Sequence, residues 1–186
     1  MSTNFVRGWR SRMAVLFLGP LLVAVVVPSV ASASYALRNR AVGKCLDDTG
    51  WSRSAWTHMQ MWNCTRGSNQ QWEEIYQNIP TASPANTWYE TNLRNRYSGL
   101  CLDLYYGSNT NGAPAIQYPC NPNDRAQKFY ITWDFSSGEY NIGVTPNVFL
   151  ATSSKCLDDH YAGRNNGNPV DFWDCNGTAA QLWNKI

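Results

Sequence analysis

Residues Cys45 to Trp72 read CLDDTGWSRSAWTHMQMWNCTRGSNQQW, and the same skeleton occurs twice more along the chain. Cys-Leu-Asp opens it, a second cysteine follows, and Gln-x-Trp closes it. The signs return at Cys101-Leu102-Asp103, Cys120 and Gln127-Lys128-Phe129, then at Cys156-Leu157-Asp158, Cys175 and Gln181-Leu182-Trp183. First and second cysteine are 19 residues apart every time, and the openings lie 56 and 55 residues apart. Six cysteines do not fall into that phase by chance, so the chain carries three internal repeats, around 37–80, 93–135 and 148–186. Of the many pairings open to six cysteines, the repeat selects the three inside a unit: Cys45–Cys64, Cys101–Cys120 and Cys156–Cys175.

Outward from the cysteines, each unit shows short strands joined by turns and no helix-period stretch. Strand patterns cover 71–79, 87–93, 129–135 and 139–144. Asn and Gly supply turns at Gly107-Ser108-Asn109, Asn111-Gly112 and Asn165-Asn166-Gly167, with a hairpin turn over 135–139 and a longer polar one over 80–86. In Met59-Gln60-Met61-Trp62, alternation puts the two methionines on one face and Trp62 on the other; Val170 and Phe172 stand to Trp173 in the same way. The apolar pairs belong to a core, which turns an aromatic ring outward. In Ala115-Ile116-Gln117-Tyr118 the pattern is poorer, since Gln117 takes the core position. Many short, evenly spaced strands predict an all-β barrel or sandwich.

The first residues are of another kind. Arg7, Arg10 and Arg12 precede an apolar run from Met13 to Val27, and Ala31-Ser32-Ala33 offers a small-residue cleavage site. These are the three parts of a secretory signal peptide over 1–33, and the run is short of the roughly 20 residues a membrane span needs. A secreted, extracellular single domain over 34–186 is expected, with no membrane insertion. It carries 12 basic against 13 acidic residues, which is no footprint for nucleic acid. Export makes disulfides available. A metal site is not expected: there is no C-x-x-C pair, and His58 and His160 stand alone as solvated loop residues. Two sequons, Asn63-Cys64-Thr65 and Asn176-Gly177-Thr178, would matter only in a eukaryotic secretory host.

Three Cys-Leu-Asp openings in phase with three Gln-x-Trp closures resemble the ricin B-type (R-type) lectin family, over essentially the whole of 34–186. The resemblance implies a β-trefoil: twelve strands in three pseudo-equivalent units, six forming a barrel and six forming hairpins that cap it. Trp72, Phe129 and Trp183 become core residues, one per repeat. The stretches from each Gln-x-Trp to the next cysteine are longer than the family's pattern and imply extended hairpins.

A sugar offers hydroxyls on one side and a C–H patch on the other, so a shallow site needs a carboxylate, an aromatic ring and a side-chain amide. The resemblance puts these on the Asp of Cys-Leu-Asp, the aromatic two before the second cysteine, and an Asn before the Gln of Gln-x-Trp, with that Gln behind the Asp. Repeat 1 fills every position with Asp47, Trp62, Asn69 and Gln70. Singly these read as a turn residue, a core aromatic and a loop capper; together, with Trp62 facing out, they favour binding. Asp48 reads as a turn residue. Repeat 2 offers Asp103, Tyr118 and Gln127 but has Ala126 at the Asn position; repeat 3 offers Asp158, Trp173 and Gln181 with Ala180 there. Asn121, Asn123 or Asn176 are the nearby substitutes.

No Gly-x-Ser-x-Gly or His-Glu-x-x-His is present, and the repeat holds its three aspartates on separate faces. The expectation is a non-enzymatic, cofactor-free, monomeric lectin for galactose-type (galactose or N-acetylgalactosamine) or xylan-type glycans. The alternative is a protein-binding trefoil, such as a protease inhibitor or a toxin's cell-targeting subunit.

Overall fold

The computed structural model of the chain describes residues 33–78, 88–134, 138–144 and 155–186. All but the end of the expected leader, the 80–86 turn, most of the 135–139 turn and much of the lengthened stretches between repeats lie outside them. The described residues form thirteen strands: β1 (Ser34–Tyr35), β2 (Leu37–Asn39), β3 (Cys45–Asp48), β4 (Met59–Trp62), β5 (Trp72–Asn78), β6 (Trp88–Asn95), β7 (Cys101–Leu104), β8 (Ala113–Tyr118), β9 (Phe129–Asp134), β10 (Glu139–Val144), β11 (Lys155–Asp159), β12 (Asn168–Asp174) and β13 (Leu182–Lys185). Ala36 interrupts β1 and β2, which together fill one strand position. That leaves twelve positions, four per repeat, as a β-trefoil requires.

Six of these positions close a barrel. Antiparallel pairing runs from β1 to β5, β5 to β6, β6 to β9, β9 to β10, β10 to β13 and β13 back to β2. Closure leaves no open edge, which is how an all-antiparallel sheet avoids unpaired backbone. The other six form the hairpins β3–β4, β7–β8 and β11–β12, in one common register. Cys45 pairs with Trp62, Cys101 with Tyr118 and Cys156 with Trp173. All three disulfides lie inside their own repeats, Cys45–Cys64, Cys101–Cys120 and Cys156–Cys175.

The alternation read from the sequence sorts the side chains. Met59, Met61, Val170 and Phe172 are buried, whereas Trp62 is 39% exposed. Trp72, Phe129 and Trp183 are completely buried. Each Trp indole donates to the Leu carbonyl of its own Cys-Leu-Asp, Trp72 to Leu46 at 3.3 Å and Trp183 to Leu157 at 3.0 Å. The end of a repeat is thereby tied to its beginning, and one fully buried aromatic contributes about 4 kcal/mol of transfer free energy. Gln117, the polar residue at a core position, is fully buried and spends its amide on the carbonyls of Ser52 and Ser54, both at 3.1 Å. Its amide thus stitches β8 to the loop of repeat 1.

Neighbouring hairpins are clipped in the same way around the axis. Lys44 Nζ donates to Asn63 and Asn166, at 2.6 and 2.7 Å, while Lys155 Nζ donates to Asp174 and Asn111. The corresponding residues of repeat 2 are Leu100 and Pro119, whose side chains carry no hydrogen-bonding group, so this clip belongs to the other two hairpins. Two expectations need correction. Asp48 is a fully buried strand residue rather than a turn residue, because the backbone continues extended through it. His160 is not simply solvated: its ring is paired with Asp171, across from the Asp158 strand.

Candidate functional site

Directly after each Cys-Leu-Asp strand the chain makes a short 3-10 turn, over Thr49–Trp51, Tyr105–Gly107 and His160–Ala162. An aromatic residue sits there in the left-handed region: Trp51 at φ 55°, Tyr106 at 52° and Tyr161 at 51°. This throws the ring outward beside the hairpin, so each repeat forms a concavity with an aspartate at its base and aromatic rings on its walls. The three concavities measure about 270, 330 and 480 Å³ in repeats 1, 2 and 3.

In repeat 1 the structure brings Asp47, Trp62 and Asn69 to one pocket, joined by Trp51, Gln60 and Thr65. Asp47 is 3% exposed and accepts from three amides: Gln60 at 2.9 Å on Oδ1, and Asn69 at 2.8 Å and Gln70 at 2.7 Å on Oδ2. A carboxylate cannot donate when ionised, so these bonds also fix which way each amide points. Asn69 Oδ1 is left buried without a hydrogen-bond partner. Gln70 lies behind, with its oxygen taken by the Thr65 backbone amide at 2.8 Å and its nitrogen shared with Asn63 O at 2.9 Å. Asn95 of the next repeat donates to Asn69 O at 2.9 Å and holds that segment in place. A Cβ on Gly67 would stand 2.6 Å from Asn69 Oδ1 and 2.9 Å from the Trp51 ring, so only glycine fits there.

The second pocket combines Asp103 and Tyr118 with Tyr106, Trp56 and Asp124. Gln127 is the amide that reaches Asp103, at 2.9 Å, and Ile116 stands where repeat 1 has Gln60. Asn121 and Asn123 do not line this pocket. The third combines Asp158 and Trp173 with His160, Tyr161 and Asn176, so one of the substitutes named from the sequence does line its pocket. Gln181 lies behind it, bonded to Asp174 O at 3.0 Å and the Asn176 amide at 2.8 Å. Ala126 and Ala180 are shorter than the asparagine they replace, and both pockets are larger than that of repeat 1.

Burial raises all three aspartates above the usual carboxylate range. At Asp47 the Gln60, Gln70 and Asn69 amides oppose it. Asp103 is pushed up to about 6, with Gln127 opposing and Asp124 adding to the rise. Asp158 also reaches about 6; Gln181 and His160 hold it down while Asp171 pushes it up. Behind the pockets, burial with the Asp47 charge beside it pushes Asp48 to about 7, with the Ser52 backbone opposing. Each pocket thus offers an acceptor carboxylate at its base and an aromatic face above it, the two surfaces a pyranose ring needs.

Several of these residues were not picked out by motif. Gln60 is legible only once β3 and β4 are in register, because it pairs with Asp47. Trp51, Tyr106 and Tyr161 carried a weak signal, an aromatic five or six residues after the first cysteine in every repeat. Trp56 carried none, because it reaches the pocket of a different repeat.

Known proteins share this architecture. The family model for the ricin-type beta-trefoil lectin domain matches residues 89–185, and that for the ricin-type beta-trefoil lectin domain-like family matches residues 25–118. Among solved structures, the designed three-fold symmetric protein ThreeFoil superposes with a TM-score of 0.69 at 27% identity, over 82% of this chain and 97% of that one. The Rhizoctonia solani agglutinin superposes with a TM-score of 0.64 at 20% identity, over 85% and 96% of the two chains. The Macrolepiota procera ricin B-like lectin in complex with lactose does so at 0.62 and 20% identity, over 83% and 94%. With three phased repeats, a six-stranded barrel capped by three disulfide-stapled hairpins, and family models matching both halves, the chain belongs to the ricin B-type β-trefoil lectin family.

Proposed function

We propose that the protein is a secreted, non-enzymatic lectin that binds galactose-type or xylan-type glycans through its three hairpin pockets. One observation carries this reading. Among the described residues, the large apolar side chains left exposed are Trp51, Trp56, Trp62, Tyr76, Tyr106, Tyr161 and Ile186, and five of the seven line a pocket with a buried aspartate at its base. Exposed aromatics gathered over carboxylates are a surface built for a ligand with apolar C–H faces and hydroxyls. The signal-like leader supports secretion. The aspartates of the three repeats occupy separate pockets, which supports binding over acid–base chemistry.

The test is a glycan-array screen of the oxidised chain beside Trp62→Ala. Truncating Asp47 instead would strand the buried amides of Asn69 and Gln70 and confound binding with folding. Trp62 is partly exposed and its removal leaves the hydrogen bonds at Asp47 intact. We expect array binding that weakens about tenfold in the variant, since each site alone binds near the millimolar scale and depends on its stacking ring. No binding by a well-folded wild-type chain would sink the lectin reading and leave the protein-binding trefoil.

A further inference from the structure

The three hairpins are related by a pseudo-three-fold, and in their loops one residue breaks it. In each hairpin loop a single residue donates its backbone N–H to the neighbouring repeat: Gly112 to Phe172 O at 3.0 Å, Gly167 to Met61 O at 2.9 Å, and Trp56 to Gln117 O at 2.9 Å. All three are left-handed, at φ 82°, 86° and 69°. Glycine is the residue that conformation favours, and a large side chain there is strained whatever the space around it. Two repeats obey that rule, and repeat 1 places tryptophan there.

The position faces the next repeat's pocket. A Cβ at Gly112 would lie 3.7 Å from Trp173 of the third pocket, and one at Gly167 would lie 3.8 Å from Gln60 of the first. Trp56, with a side chain to project, enters the second. Its indole is centred 4.6 Å from the Tyr118 ring at 57°, and 5.0 Å from the Tyr106 ring at 40°. It is nonetheless 42% exposed, so its packing is against the pocket rings and not the core.

We infer that Trp56, carried by repeat 1, is a specificity-determining residue of the second binding site. It adds a third aromatic ring to those of Tyr118 and Tyr106, in the repeat whose Ala126 lacks a side-chain amide. The inference rests on the glycan reading. A pyranoside seated on Asp103 meets three aromatic rings, whereas the first and third pockets have two each and glycine at the place equivalent to Trp56. All three loops take the left-handed conformation at this position, which glycine adopts without strain, so tryptophan is retained in repeat 1 for its ring.

The test is an amide-resolved NMR titration with methyl β-galactoside and, in parallel, methyl β-xyloside, which reads each pocket through its own hairpin. Wild type is compared with Trp56→Gly, the residue the other repeats use, and with Trp56→Asn, which tolerates the left-handed region. We expect both variants to keep wild-type shifts at repeats 1 and 3 and to lose about tenfold in affinity at repeat 2 alone, in line with a stacking contact. Unchanged affinity at repeat 2 overturns the inference, as does a wild-type repeat 2 that stays silent while repeats 1 and 3 titrate; the glycan reading survives both. Silence at all three pockets removes the glycan reading and this inference together.

Discussion

Asp47, Asp103 and Asp158 occupy one position in three repeats, yet their surroundings differ in ways that a titration can read. Asp47 is held by three amide donors, Asp103 by one, and Asp158 shares its surroundings with Asp171 and His160. Only the ionised carboxylate offers its full set of acceptors to sugar hydroxyls. Asp103 and Asp158 are each pushed to about 6, so lowering the pH through that value protonates them and removes acceptors. From pH 7 to pH 5 the ionised fraction falls about tenfold, and we expect glycoside affinity at repeats 2 and 3 to fall by a similar factor. Isothermal titration at the two pH values, with site-resolved NMR to assign the loss, checks this. Affinity that is flat with pH would mean that these carboxylates do not touch the sugar.

At the scale of the element, the hairpin is the unit that builds a pocket, and its disulfide is the staple. Cys45–Cys64 joins the start of β3 to the residues just beyond β4, next to the Cys45–Trp62 pair that carries the pocket's aromatic ring. Opening it frees a loop whose closure is worth about 3 kcal/mol. We expect the Cys45→Ser/Cys64→Ser double variant to lose about that much in denaturant unfolding, with loss of binding confined to repeat 1 below the transition. The hairpins also explain which site residues the sequence showed. Asp47, Trp62 and Asn69 are read from motif spacing because they lie along one repeat. Gln60 needs strand register, and Trp56 needs the neighbouring hairpin, so no pattern along one repeat reveals them.

The whole molecule carries two opposing pH effects. Asp48, at about 7, and Asp103, Asp158 and Asp159, at about 6, are all raised by burial, so the folded state holds more protons than the unfolded chain between roughly pH 4 and pH 7. Their contribution to stability is full below the unfolded value and is lost as pH rises through the folded ones. Glu74 is the opposite case. Although burial works against it, Lys185, Tyr35 and Tyr89 hold it below its ordinary value, and Lys185 in turn lies 4.5 Å from the Tyr140 ring centroid and 4.8 Å from that of Tyr35. That contribution is present above the unfolded value and is lost as pH falls below it. We expect the thermal midpoint to be highest near pH 5 and lower at pH 8. Asp48→Asn should flatten the alkaline slope. A midpoint that rises steadily from pH 5 to pH 8 would contradict the burial of these aspartates.

Phase and alternation were enough to determine the repeat number, the disulfide pairs and the outward turn of Trp62 and Trp173, and the family resemblance implied the burial of Trp72, Phe129 and Trp183. Those properties are periodic along the chain, and period is what a sequence records. Only the tertiary structure decided that Gln60 and Trp51 join the first pocket, that Asp48 is buried, and that Trp56 leaves its own repeat for the pocket of the next. The placing of Gln60, Trp51 and Asp48 exists only once β3 and β4 pair within repeat 1, and that of Trp56 only once repeats 1 and 2 have closed on one another.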